Sequence, residues 1–194
     1  QANVSGSGNT AWGHSAARSN VTGSEIAAFG TNALALNTAS FNTGFGYDVL
    51  SSVVAGTRNT GVGNRALRAN VASDNTALGY NSLLLNTNGA RNTAGGSLAL
   101  SSNILASDNT ALGASALELT TGYSNTAIGA SAGSSITSGT FNTMVGQGAN
   151  SSSATGIGRI ALGANAVCLS NNSAQIGAAV NTTTATMRFR TQTI

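Results

Sequence analysis

The chain has 194 residues, of which 41% are hydrophobic and only 7% are charged. This apolar content excludes a disordered chain, because disordered chains are poor in apolar residues. The net charge is +3 and the basic residues are scattered arginines, so the chain lacks the clustered basic face that nucleic-acid binding requires.

The beginning of the chain precedes any repeat. Residues 1–8, QANVSGSG, contain neither an initiator methionine nor a signal peptide, and we interpret them as the leading segment of a longer chain. Farther on, no apolar run approaches the roughly 18 residues of a membrane span, so no membrane insertion by this segment is expected. Cys168 is the single cysteine, which excludes an internal disulfide and a cysteine metal site.

A glycine recurs along residues 9–180 at spacings of 16 or 17 residues, with a final spacing of 14. This glycine column consists of Gly13, Gly30, Gly46, Gly63, Gly79, Gly96, Gly113, Gly129, Gly146, Gly163 and Gly177. The period is too short for two helices and a turn. It predicts an all-β fold, a parallel β-solenoid of about eleven coils, each with two short strands and two turns. We expect each glycine to adopt a positive φ or to lack room for a Cβ atom.

Two further columns keep register with the glycine column. Asn-Thr begins four positions before the glycine in eight coils, and stacked asparagine amides can hydrogen-bond along the axis. These asparagines are Asn9, Asn42, Asn59, Asn75, Asn92, Asn109, Asn125 and Asn142. A large apolar residue directly precedes the glycine in ten coils, and Gly95 is the exception. This apolar column consists of Trp12, Phe29, Phe45, Val62, Leu78, Leu112, Ile128, Val145, Leu162 and Ile176.

The first strand of each coil, as in TALG, is apolar at consecutive positions such as Ala77 and Leu78. Because consecutive strand residues point to opposite faces, both faces are expected to be buried. Only one face can point into the coil. We therefore expect a cyclic homo-oligomer whose chains meet along the alanine column, including Ala77, Ala111 and Ala127. Thr76 and its column mates share the face of the apolar column and are expected to point inward.

The second strand of each coil alternates instead. Leu36 and Thr38 point one way and Asn37 points the other, which is the pattern of a half-buried, solvated outer strand. After the last coil, residues 181–194 leave the repeat. Their segment TMRFRTQTI alternates as a strand does, and we interpret it as a cap or as the start of a neck.

The words NTALG, NTAIG and GRIALGANAV resemble the head repeats of trimeric autotransporter adhesins of the YadA type. That resemblance implies a left-handed parallel β-roll with three chains per fibre. The final spacing of 14 residues matches the usual length in that family, whereas the longer period before it departs from the family and indicates an enlarged outer turn. Similar words occur in long fibre proteins of phages and predatory bacteria. The function implied is adhesion or spacing at an extracellular cell, fibre or virion surface.

A nucleophilic pair is conceivable at one position. His14 is the only histidine and stands beside Ser15. Its column is variable and also contains Thr31, Tyr47, Asn64 and Tyr80, which favours an outward turn residue over a catalytic one.

A pair of carboxylates also has to be weighed. Asp74 and Asp108 share a column two coils apart, at about 9–10 Å, near the separation found in inverting glycosidases. The same column contains Arg58 and Arg91, and this alternation favours a structural ladder of opposite charges. We therefore expect no catalytic, cofactor-binding or metal-binding residues.

Weak candidates for ligand binding are Tyr47, Tyr80, Leu84 and Leu98. The two leucines replace polar residues of other coils and form either a docking patch or a local repair, in which Leu98 fills the space left by Gly95. The repair is favoured.

The sequence as a whole predicts a non-enzymatic structural or adhesive segment of a homotrimeric surface fibre, whose partner is a cell-surface glycan or protein receptor. One alternative is a tailspike-like domain that binds or cleaves glycans. A less favoured alternative is an ice-binding solenoid, which needs regular outward threonines on a flat face.

Overall fold

The structure, a computed structural model, describes residues 4–178, which contain no helix. Eleven short strands form one sheet: β1 (Thr10–Trp12), β2 (Ala27–Phe29), β3 (Thr43–Phe45), β4 (Thr60–Val62), β5 (Thr76–Leu78), β6 (Thr93–Gly95), β7 (Thr110–Leu112), β8 (Thr126–Ile128), β9 (Thr143–Val145), β11 (Ile160–Leu162) and β13 (Ala174–Ile176). A second, two-stranded sheet joins β10 (Asn150–Ser151) to β12 (Val167–Cys168).

Every strand of the main sheet pairs in parallel with the equivalent strand of the next coil. Thr76 of β5 lies opposite Thr93 of β6, and Thr93 lies opposite Thr110 of β7. The 14-residue spacing keeps the register, since Leu162 lies opposite Ile176. The described residues therefore form a parallel β-solenoid of about ten turns, where the glycine spacing predicts about eleven coils. At about 4.8 Å per coil, it is roughly 50 Å long.

The glycine column is confirmed as a backbone requirement. From Gly13 to Gly163 the φ angles lie between 117° and 141°, a region that residues with a Cβ atom rarely adopt. Neighbouring coils also approach closely here, because a Cβ atom at Gly96 would lie 2.6 Å from the carbonyl carbon of Gly113. Gly177, at the end of the stack, has a φ of 80° and no neighbour within 4 Å of such a Cβ atom.

The predicted second strand is wrong for most coils. The segment after each glycine is a turn that extends to the first residue of the predicted strand, such as Leu36 or Ala69, and the two residues after it are not in a strand either. In most coils two residues of the turn have positive φ, such as Arg65 at 58° and Leu67 at 53°. Its amides still bond to the next coil, as Leu67 N does to Ser82 O at 3.0 Å. Only every second backbone N–H of this segment, such as those of Leu67, Ala69 and Val71, bonds to the next coil. The residues therefore alternate as they do in a strand, although the backbone is not extended. Within the described residues only β10 and β12 form a second strand ladder.

The faces of the first strand are opposite to the prediction. Ala77, Ala111 and Ala127 are fully buried in the core of their own chain, whereas Leu78 and Leu112 are exposed. The threonine column lies on the outside with the leucines, because residues two apart on a strand share a face. The interior is so narrow that alanine from the strand suffices to fill it. Leucines of the turn segment complete the core, namely Leu34, Leu50, Leu67, Leu83, Leu100 and Leu117.

The asparagine ladder is present. Its hydrogen bonds join the side-chain amides to backbone groups as well as to one another. Asn75 Oδ1 accepts a hydrogen bond from the backbone N–H of Asn92 at 2.9 Å, and Asn92 Oδ1 accepts from Asn109 N at 3.0 Å. Asn75 Nδ2 donates to Gly89 O at 2.9 Å. Each asparagine thus satisfies buried backbone groups at a corner of the coil, which is why the column is polar inside the core. Asn109 does this through Oδ1 alone, which accepts a hydrogen bond from Asn125 N at 2.9 Å, because its buried Nδ2 has no partner among the described residues.

At the C-terminal end of the described region, a buried arginine replaces an asparagine of this column. Arg159 donates to Ser152 Oγ at 2.9 Å, to Cys168 O at 3.1 Å and to Asn171 Oδ1 at 2.8 Å. Its backbone N–H donates to Asn142 Oδ1 at 3.0 Å, so the ladder continues into this coil. The longer side chain reaches the carbonyls and hydroxyls of the corner in the coil that is shortened to 14 residues.

The first segment of the chain joins the solenoid before the first glycine of the column. Backbone hydrogen bonds already attach Val4 and Ser5 to Val21 O, at 3.0 and 3.1 Å, so part of segment 1–8 belongs to the stack. The predicted strand within residues 181–194 lies outside the described residues.

Candidate functional site

The outer side of the main sheet carries two columns of half-buried to exposed side chains, and we call it the outer face. One is the apolar column, in which Leu78, Leu112 and Ile128 are 47%, 41% and 41% exposed. Phe29 and Phe45 stack on it, with ring centroids 4.6 Å apart. Since exposed apolar patches rimmed by polar residues mark interaction sites, the outer face is a candidate interaction surface.

The second column of the outer face is threonine. Its members are Thr10, Thr43, Thr60, Thr76, Thr93, Thr110, Thr126 and Thr143. None of their hydroxyl groups has a hydrogen-bond partner within residues 4–178. The column therefore presents free hydroxyls at about 4.8 Å intervals beside the aliphatic side chains.

The charge ladder forms two separate pairs on the surface. Arg58 binds Asp74 through two hydrogen bonds of 2.6 and 3.0 Å, and Arg91 binds Asp108 through two of 2.6 and 2.9 Å. The hydrogen bonds from Arg58 hold the pKa of the Asp74 carboxyl below its ordinary value, and those from Arg91 do the same for the pKa of Asp108. Both carboxylates are thus neutralised by arginine, which is the opposite of the raised pKa that a general acid needs.

We expect these pairs to produce an acid-sensitive part of the stability. A carboxylate whose folded pKa is lowered stabilises the fold above its unfolded pKa of about 3.9, and this contribution disappears as the pH falls through the folded pKa. The double variant Asp74→Asn/Asp108→Asn should therefore unfold at a lower temperature than the natural chain at pH 7. The difference should shrink as the pH falls below the unfolded pKa and vanish once the pH lies below the lowered folded pKa values of both carboxyls. Thermal unfolding followed by circular dichroism over pH 2–7 measures it.

A matched control for this experiment is Glu25→Gln. Glu25 lies in the same column, and its carboxylate forms no ion pair with a described residue. A difference from the natural chain that is equally large for Glu25→Gln, or that does not change with pH, would contradict a role for the pairs.

The single histidine does not complete a catalytic group. Ser15 Oγ and His14 Nδ1 are 3.2 Å apart, so these neighbours do contact each other. No carboxylate of the described residues bonds to the ring to orient it. Likewise, residues 4–178 contain no group of three or more histidine, cysteine or acidic side chains that could hold a metal ion.

The predicted ligand candidates lie in different environments. Tyr47 and Tyr80 are 47% and 50% exposed, at the same position two coils apart, and remain candidates. Leu84 and Leu98 are half-buried. The expectation that Leu98 fills the space beside Gly95 is wrong.

The atom found beside Gly95 belongs to the next coil. Leu112 Cδ2 would lie 2.9 Å from a Cβ atom at Gly95, with no other atom within 4 Å apart from the adjoining residues. The space beside Gly95 is therefore filled by Leu112, the next member of the apolar column.

A surface depression at the second and third coils escaped the sequence analysis. It lies between Arg18 and Arg68, which belong to the first and fourth coils, and Ala35 and Ser51 stand between them at the same position of their coils. Asp48 also lines it. The sequence signal for this depression is the change in side-chain size at one position of four successive coils, which is Arg, Ala, Ser and Arg.

No helix within the described residues is long and apolar enough to span a membrane. Comparisons with protein-family models, with curated proteins and with solved structures found no match for this chain.

Proposed function

We propose that this chain is a non-enzymatic structural and adhesive segment of a homotrimeric surface fibre. The observation that carries the proposal is the outer face, whose apolar column has an exposed large side chain in seven of the eleven coils, from Trp12 to Ile176. An exposed apolar surface rimmed by polar residues is typical of a protein interface. The seam between chains is proposed along this column, in place of the buried alanines.

The number of three chains and the left-handed winding are proposed from the resemblance to YadA-type heads. Three solenoids packed through their outer faces would enclose the apolar column and leave the turn segments on the outside. A rod that repeats the same surface at each coil suits stiffness and multivalent attachment. The proposed location is extracellular, at a cell, fibre or virion surface, with a glycan or protein receptor as partner.

The test is the mass of the natural segment in solution, measured by light scattering at several concentrations. We expect three times the chain mass of 19.0 kDa. A monomer over the whole concentration range would overturn the proposal. A stable dimer would retain the interface and reject the number of chains.

A second candidate function, ice binding, is favoured by one observation. The threonine column lies on the outer face beside the apolar column, whereas the sequence predicts that it points inward. Regular hydroxyls beside aliphatic side chains are the feature that this alternative needs. Thermal hysteresis produced by a monomeric chain would establish ice binding, provided that the double variant Thr76→Tyr/Thr110→Tyr loses it. A trimer without thermal hysteresis would reject it, since the two functions require the same face.

The tailspike alternative has less support. Asp74 and Asp108 each bind an arginine, so neither carboxylate is free for acid–base chemistry. Degradation of a polysaccharide by the purified segment, abolished by Asp74→Asn, would nevertheless restore it.

A further inference from the structure

The depression between Arg18 and Arg68 is built by a change of side-chain size along one column. Successive coils place Arg18, Ala35, Ser51 and Arg68 at the same position, as the bonds Ser19 N to Ala35 O, Leu36 N to Ser51 O and Ser52 N to Arg68 O show. The two small residues leave a trough, and the two arginines bound it at its ends. Three coils separate the arginines, which corresponds to about 14 Å along the axis.

The two arginines are not equivalent. Arg68 Nε donates to Asp48 Oδ2 at 3.1 Å, and the Asp48 side chain is only 16% exposed, so this end of the trough is held by an ion pair. Arg18 is exposed and has no ion pair or hydrogen bond with a described residue. The trough therefore contains one uncompensated positive charge, at its Arg18 end.

Polar and apolar groups line the space between the arginines. Asn32 and Ser51 provide an amide and a hydroxyl, and Asp48 Oδ1 remains free to accept a hydrogen bond. Leu36, which is 40% exposed, provides an apolar wall. A sugar ring presents hydroxyl groups at its edge and C–H groups on its face, so this combination is complementary to a saccharide.

We propose that this trough binds an acidic oligosaccharide. The anionic group, a carboxylate or a sulfate, would pair with Arg18, whose planar guanidinium can donate two parallel hydrogen bonds. The ring hydroxyls would bond to Asp48, Asn32 and Ser51. The proposal rests on the adhesive function proposed above and names its ligand class. None of the trough residues belongs to the outer face, so assembly and ligand binding use different side chains.

The experiment is titration calorimetry of the natural segment with three tetrasaccharides. These are tetragalacturonate, its neutral methyl ester, and a sulfated heparin tetrasaccharide. We expect at least one acidic probe to bind and the methyl ester to bind at least about tenfold more weakly, because hydrogen bonds to a charged group are the strongest contribution. The comparison of the two acidic probes distinguishes a carboxylate ligand from a sulfate ligand.

Two variants locate the binding. Arg18→Gln should weaken binding of the acidic probe roughly ten- to a hundredfold. Ser51→Leu, which fills the trough, should abolish binding. The matched control is Arg65→Gln, an exposed arginine of the fourth coil that does not line the trough. It should bind as the natural chain does, and circular dichroism confirms that each variant is folded.

The outcomes separate this proposal from the fibre proposal. A trimer that binds neither acidic probe overturns the trough and leaves the fibre intact. A monomer that binds an acidic probe through Arg18 overturns the fibre and supports the trough. An equal loss in Arg18→Gln and Arg65→Gln would show diffuse attraction to positive charge, and would overturn the trough as a site.

Discussion

Valine in place of Gly113 is expected to disrupt the middle of the solenoid and to lower the free energy of unfolding by about 2–6 kcal/mol. Gly113 has a φ of 141°, which costs a branched residue conformational energy, and its Cβ atom would collide with the carbonyl group of Gly129 in the next coil. That carbonyl group belongs to the stacked backbone and cannot move alone. Urea unfolding followed by circular dichroism measures the change.

The matched control is Gly95→Ala, one position before the glycine column in the preceding coil. Gly95 is not among the positive-φ glycines, and its Cβ atom would meet only the flexible end of Leu112 beyond the adjoining residues. We therefore expect a change within about 0.5 kcal/mol. If Gly113→Val were as stable as Gly95→Ala, the close approach of backbones would not be a constraint on the fold.

The period and the corners of the solenoid were predictable from the sequence because they depend on the backbone. A position that only glycine can occupy recurs wherever the chain makes the same turn, so Gly13 and Gly163 share one requirement nine coils apart. The asparagines were predictable for the same reason, since buried backbone groups at each corner need a partner. Spacing alone carries this information.

The direction of the strand faces was not predictable in the same way. Ala77 and Leu78 are both apolar, and strand parity states that they point apart without stating which one points inward. The decision depends on the width of the coil, which is set by the close stacking of the turn segment against the strand. Leu83 from that segment is fully buried, and alanine is what fits opposite it.

The turn segment was misread because its pattern has two causes. Burial alternates as in a strand, since Asn70 is buried and Ala69 and Val71 are not. The turn that ends at Ala69 nevertheless contains two residues with positive φ, Arg65 and Leu67. Hydrogen bonding of alternate residues to the next coil generates the same period as an extended strand. Nothing in the residue types marks this conformation, since leucine rarely adopts it.

The trough depended on comparison between coils. Ser51 is unremarkable within its own repeat. It lines a trough only because Arg68 occupies the same position in the next coil and Arg18 occupies it two coils earlier. The Arg68–Asp48 ion pair joins residues 20 apart, a separation that does not equal the period. Only the three-dimensional stack reveals that the trough remains open and that Arg18 is unpaired.

The double variant Leu78→Arg/Leu112→Arg is expected to fold and to dissociate the proposed trimer into single chains. Both leucines are exposed in the isolated chain, so arginine there remains solvated and costs the monomer little. In an assembly closed through the outer face, each arginine would be buried without a partner, which costs about 3–5 kcal/mol for each interface charge. Light scattering gives the mass, and circular dichroism gives the fold.

The neighbouring residues provide the matched control that separates the two faces of the strand. Ala77 and Ala111 are fully buried, so Ala77→Arg/Ala111→Arg is expected to unfold the chain rather than release a folded monomer. A shift of a single residue along the strand thus changes the expected outcome from dissociation to unfolding. A Leu78→Arg/Leu112→Arg chain that keeps the mass of the natural assembly would show that the chains associate through another surface. The apolar column would then be free to face water or another partner.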